Sequence, residues 1–198
     1  MQEMDVKPQV SAAAEPIKRF PKLDNQELVK TSFWISQVFM IIATIVGVYL
    51  AAQEGLSQAI VFDELSNKQN NYYLRHALYD EVNDNVTIIN EYADTVAKSS
   101  PYDLKSIHPN MATFVWENMR YSANTLETPT QILTETRRFY MASADIISKM
   151  ETRFYGAKFG AKKLKELTKG VSESTLPMLK DNYQALAIEL KAADITVE

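Results

Sequence analysis

Two histidines are the residues best suited to acid–base or metal chemistry, and they fall in different predicted elements. His76 lies one residue off an apolar helix face, and His108 immediately precedes Pro109 in a loop. Both placements suit a polar surface or interface residue better than a ligand or general base. Asp80 and Asp84 are four apart, with Glu81 beside them. They share a helix face, so oxygens from a second helix would complete a site for a divalent cation. A charged face turned to solvent has the same spacing without any ion, and Asp145 with Glu151 is spaced no better. The chain has no cysteine, which removes disulfides, thiolate nucleophiles, iron–sulfur ligation and cysteine zinc sites together. It also lacks HExxH, the paired ExxH of di-iron bundles, GxSxG and a phosphate-cradling glycine loop. No nucleophile–base pair or ligand set can be assembled, so the expectation is a protein that is not an enzyme, with no catalytic residue, no cofactor and no metal.

Contact chemistry is better represented. Tyr72, Tyr73, Trp116, Tyr121, Phe139, Tyr140, Phe154 and Tyr155 exceed what a small core takes up. Neighbours on a helix point about 100° apart, so some of these rings must be half exposed, where Tyr and Trp anchor partners. Trp116, Tyr72 and Tyr155 are the candidate contact residues. Lys158, Lys162, Lys163, Lys165 and Lys169 form the one dense basic stretch, which suits anionic headgroups, an acidic partner or a merely solvated face. In an apolar segment upstream, Ala43, Gly47 and Ala51 recur every four residues and make a shallow strip on which another helix can approach closely. Gln37 and Thr44 add polar groups there that gain from a neighbour's hydrogen bond.

That segment, residues 31–53, carries no charged side chain and is almost wholly apolar. As a helix it reaches roughly 31–35 Å, which matches a hydrocarbon core of about 30 Å. A core helix of a soluble protein rarely runs so long without a charge. A cleaved signal peptide would have an apolar region of about 7–15 residues lying nearer the start. Trp34 and Tyr49 stand near the two ends of the span, where amphipathic rings favour the headgroup level. Lys18, Arg19, Lys22 and Lys30 lie closely before it, against Lys68 after it. The positive-inside rule therefore places the N-terminus in the cytoplasm and residues 54–198 across the bilayer. A cysteine-free domain in that compartment favours a bacterial inner membrane, with the domain periplasmic or otherwise extracytoplasmic. The net charge of −4 resides after the span, where 16 basic face 20 acidic residues, and neither half offers a basic surface for nucleic acid.

Residues 1–30, interrupted by Pro8, Pro16 and Pro21, read as a flexible cytoplasmic tail, with Asp24 or Asn25 placed to cap a short turn before the span. Beyond the span there is no proline until Pro101, which predicts one long helix to about Ser99, with a kink near Gly55 or loosening over residues 67–71. Its far half carries the stripe Leu74, Leu78, Val82, Val86, Ile89, Ala93, Val96. Breaks follow at Pro101 and Pro109, then a helix over residues 111–127. Thr128 is placed to cap the next helix, with Pro129 at its first position. That helix is expected to run to about Tyr155 on the stripe Leu133, Thr136, Tyr140, Ala144, Ile147, Met150, Phe154. Gly156, Gly160 and Gly170 then loosen a basic amphipathic piece. Ser172 or Ser174 precedes the last helix, whose stripe of Leu176, Leu179, Tyr183, Leu186, Leu190 and Ala193 is heptad-like.

The fold class expected is all-α: a single N-terminal transmembrane helix (31–53) followed by an extracytoplasmic antiparallel helical bundle of about four helices within residues 54–198. The function expected is that of a noncatalytic accessory or assembly subunit of an envelope complex. Its partners would be the lipid bilayer and an integral membrane protein or second copy met through the span, with no nucleic acid. The alternative is a ligand-sensing helical bundle, which with one crossing would need a separate signalling subunit.

Overall fold

The computed structural model describes residues 31–197, and over that range the chain is all-helical, without a strand. The expected flexible tail and the Asp24 or Asn25 cap lie outside the described residues. The helices are α1 (Thr31–Ser99), α2 (Phe114–Met119), α3 (Thr130–Glu151), α4 (Ala157–Gly170) and α5 (Leu176–Ala192), with 3₁₀ turns at Lys105–Ile107 and Ala123–Glu127. The chain divides into two units, one ending at Gly55 and one beginning at Leu56.

In the first unit, α1 is long and apolar enough to cross a membrane, and none of its most apolar stretch is buried. Ile35, Phe39, Ile42, Val46 and Leu50 stand bare, from 49 to 68 % exposed. Thr44 donates its hydroxyl to the carbonyl of Met40 at 2.8 Å, so its polar group is already satisfied within its own helix.

In the second unit, α1 carries the core. Leu78, Val82, Val86, Ile89, Ala93 and Val96 are buried, with Leu74 half-buried at the edge. The loosening over residues 67–71 does not occur: α1 is helical there. With no proline in it, no backbone bond is forced open. An ion pair between Glu64 and Lys68 at 2.9 Å spans one turn at the would-be loose point.

The middle of the chain departs from expectation in four places. The helix expected over residues 111–127 is only the short α2, followed by a 3₁₀ turn. Pro129, extended at φ −52° and ψ 129°, occupies the cap position of α3, which starts at Thr130. Thr128 is buried and directs its hydroxyl back to the carbonyl of Asn124 at 3.4 Å, so it does not cap. The buried face of α3 is Ile132, Thr136, Phe139, Tyr140, Ser143, Ile147 and Met150. Leu133 is half-buried and Ala144 exposed, a rotation of the predicted stripe. α3 stops at Glu151 because Arg153 takes a left-handed φ of 62°, and the N–H of Tyr155 turns back to the carbonyl of Lys149 at 2.9 Å. The turn leaves Phe154 74 % exposed.

The glycines do not loosen the last third. Gly156 is extended and precedes α4, but Gly160 lies inside α4 and Gly170 keeps helical angles. α4 runs through a π turn (Val171–Thr175) into α5, the N–H of Leu176 reaching the carbonyl of Val171 five residues back. Pro177 explains the wide turn. It has no N–H, and its ring would strike the carbonyl of Glu173 in a regular helix; an extra residue just before it relieves the clash. Thus no serine starts the last helix. On α5, Leu176, Leu179, Tyr183 and Leu190 are buried, Leu186 half-buried and Ala193 exposed.

Gly160 marks a close approach of α4 to α3. A β-carbon there would overlap Cγ and Sδ of Met150, a fully buried side chain. Gly160→Ala is expected to destabilise the helical body by about 1–3 kcal/mol in chemical denaturation. In a Met150→Ala background, the same substitution should cost less than about 1 kcal/mol.

Candidate functional site

α2 begins without help from its own flank: Thr113 precedes it and makes no side-chain cap bond. Its free N–H groups are capped instead from α1. Glu81 Oε2 accepts from the N–H of Val115 at 2.6 Å, and Oε1 accepts from the N–H of Trp116 at 3.1 Å. A carboxylate at this end of a helix is also favoured by the backbone dipoles. Tyr140 on α3 donates its hydroxyl to Glu81 Oε1 at 2.7 Å. Asn85, fully buried one turn along α1, clasps Ala112: its Nδ2 donates to the carbonyl at 2.6 Å and its Oδ1 accepts the N–H at 2.8 Å. Its Nδ2 also lies 3.1 Å from the Tyr140 hydroxyl. The network fixes the segment before α2, and with it Trp116, whose ring stacks on Tyr140 at 5.8 Å between centroids.

The acidic group is therefore split. Glu81 turns inward as a cap while Asp80 and Asp84 face outward. Among the described residues, no three His, Asp or Glu side chains gather in a way that could hold a metal ion. His76 stacks on Tyr183 of α5 at 4.5 Å and lies 3.8 Å from Asp80 Oδ2. His108 Nδ1 lies 2.5 Å from Glu151 Oε1, which ties the loop after α1 to the end of α3.

Other polar pairs also hold elements together. Arg75 on α1 donates to Asn182 Oδ1 on α5 at 2.8 Å and to the carbonyl of Glu127 at 2.7 Å. Burial depresses its guanidinium below the ordinary value, offset in part by the charge of Glu127. Asn71 donates to the Glu127 carboxylate. On α4, Lys165 pairs with Asp94 of α1, Lys163 with Glu166 at 3.0 Å and Lys169 with Glu173 at 3.7 Å. Lys165 holds the Asp94 carboxyl below its usual range. The basic stretch is thus largely neutralised by its own neighbours.

The candidate contact residues separate. Tyr72 is only 5 % exposed, packed with Tyr183 and Leu190. The expectation of a contact surface there is corrected, because its neighbour Tyr73 takes the outward position at 47 % exposure. Tyr155 is half-buried, edge-on to Phe159 at 5.1 Å and below Lys149. Trp116 is half-buried. On the first unit, Ala43, Gly47 and Ala51 are exposed and Gln37 partly so, and a β-carbon on Gly47 would meet nothing within 4 Å.

Trp116 also lines a cleft of about 290 Å³ between α2 and the first turns of α3, with Met119, Leu133, Thr134, Arg120 and Arg137. Leu133, Thr134 and Arg137 recur along one side of α3, distinct from its buried face. Neither arginine has a hydrogen bond, ion pair or ring contact among the described residues. By contrast, Arg138 pairs with Glu135 at 2.6 Å and Arg153 lies over the Tyr102 ring at 4.3 Å. No family model, curated protein or solved structure matches the chain.

The sequence reading missed the Glu81–Asn85–Tyr140 network and the cleft. Glu81 and Asn85 are four apart on α1, directly in register with the apolar stripe. A charged and an amide side chain at core-facing positions was the available signal.

Burial, then the Glu81 hydrogen bond and charge, push the Tyr140 hydroxyl well above the phenol's ordinary 10.0. The folded state therefore keeps its proton where the unfolded chain releases it. Stability linked to this group is complete below pH 10 and drains as pH rises further. Tyr140→Phe is expected to cost about 1–3 kcal/mol at pH 7 and to flatten the fall in stability between pH 10 and 11, read from urea midpoints. An unchanged alkaline slope would show that Tyr140 does not carry it.

Proposed function

We propose that this protein is a membrane-anchored, noncatalytic accessory or assembly subunit of a bacterial envelope complex that works by protein–protein contact. The observation that carries the proposal is the bare apolar part of α1, which is long and apolar enough to cross a membrane and is covered by none of the described residues. In this reading, residues 31–53 form the single crossing and residues 54–198 an antiparallel helical domain on the extracytoplasmic side. The basic residues ahead of the span set that direction. The buried polar groups of the domain support a structural role: Glu81, Asn85 and Arg75 are committed to joining elements. The shallow strip of Ala43, Gly47 and Ala51 is the surface for a membrane-embedded neighbour, an integral membrane protein or a second copy. In the helical domain, Trp116, Tyr155 and the exposed Leu56, Ile60 and Phe62 are the candidate extramembrane contacts. A second reading, a ligand-sensing domain that signals through a separate subunit, draws on the arginine-flanked cleft.

Purification from mild detergent is expected to bring down a membrane partner in fixed stoichiometry, or a defined homo-oligomer. Gly47→Leu fills open space, so it should lower recovery of that partner at least fivefold while the melting temperature of the helical domain stays the same. Full recovery with Gly47→Leu would remove the strip from the contact.

A further inference from the structure

We infer that the cleft beside Trp116 is a binding site for a small organic carboxylate with a flat or branched apolar body. Its walls are apolar side chains from two elements: Trp116 and Met119 from α2, and Leu133 from α3. Its rim carries two guanidiniums from different elements, Arg120 just past α2 and Arg137 on α3. Among the described residues, arginines otherwise find an acceptor or a ring, even though acidic residues outnumber basic ones in the helical body. The two that do not are the two at this cleft. An unpaired guanidinium keeps its planar fork free for a carboxylate, and two beside an apolar wall select an anion that also has something to bury. The volume, about 290 Å³, sits at the lower end of small-molecule pockets, about 300–1,000 Å³, which limits the body to one ring or a short branched chain. The back wall is held before any ligand arrives, because Trp116 is fixed by its backbone bond to Glu81 and its stack on Tyr140. A preformed wall lowers the ordering cost of binding. The site stands independently of the membrane-anchor reading.

The chain has two tryptophans, Trp34 and Trp116, so Trp34→Phe makes Trp116 the sole reporter in the full-length protein. In detergent at pH 7, 3-phenylpropionate is expected to change Trp116 emission saturably, with a dissociation constant below about 1 mM, or about −4 kcal/mol. The alcohol 3-phenylpropanol, which partitions into micelles but has no charge, should bind at least tenfold more weakly. Arg120→Gln with Arg137→Gln should lose at least tenfold in affinity for the acid without a change in melting temperature. Leu133→Tyr, which narrows the cleft without adding a second tryptophan and leaves both arginines in place, should weaken binding at least tenfold. Equal affinity for acid and alcohol, no saturable response up to about 10 mM, or binding that survives either set of substitutions would overturn the assignment.

Discussion

A helix that bares consecutive apolar side chains cannot be at equilibrium with water around it, and the function proposed for this chain depends on that constraint. From Trp34 to Leu50, twelve large apolar side chains are about half exposed or more. Full burial of such a side chain is worth about 1.5–3 kcal/mol, so even after discounting for what the helix already shields, the deficit is on the order of 15 kcal/mol. A whole domain has a stability of only about 5–15 kcal/mol. The backbone of the segment is satisfied internally, so hydrocarbon is a suitable solvent for it.

The helical body solves a different problem with the same helix. α1 buries its apolar stripe against α3, α4 and α5, and the polar groups along the same face determine where the irregular segments go. Glu81 replaces the missing cap of α2, Asn85 replaces a strand partner for Ala112, and Arg75 reaches both the turn before α3 and α5. Burying a carboxylate is costly unless its oxygens are satisfied; here one accepts from a backbone N–H, and the other from a backbone N–H and a phenol. Hydrophobic matching alone is non-directional, and these bonds make the arrangement specific. They also bring Trp116 and the two free arginines to one cleft.

How much was legible in the sequence follows from what each feature needs. α1 was readable because proline is absent from it and its stripe keeps strict helical spacing. α5 was readable for the same reason. The tight turn at Arg153 was not, since a left-handed residue is usually glycine and Gly156 lies three positions later. The π turn was not, since Gly170 and two serines imitate a helix boundary, whereas the wide turn answers to Pro177. Of the contact residues, Tyr72 was assigned to the wrong side because a period of 3.6 leaves open which of two adjacent tyrosines faces inward. The cleft joins residues from separate elements, and no spacing within one helix encodes that meeting.

The most direct measurement is the partition of the full-length protein when expressing cells are lysed and membranes are washed with alkaline carbonate before ultracentrifugation. A lipid-embedded α1 predicts that the protein stays in the pellet and is released only by detergent. Protein found in the supernatant as a soluble species would mean that the apolar half of α1 is covered by protein rather than by lipid, and the account would be contradicted at its foundation.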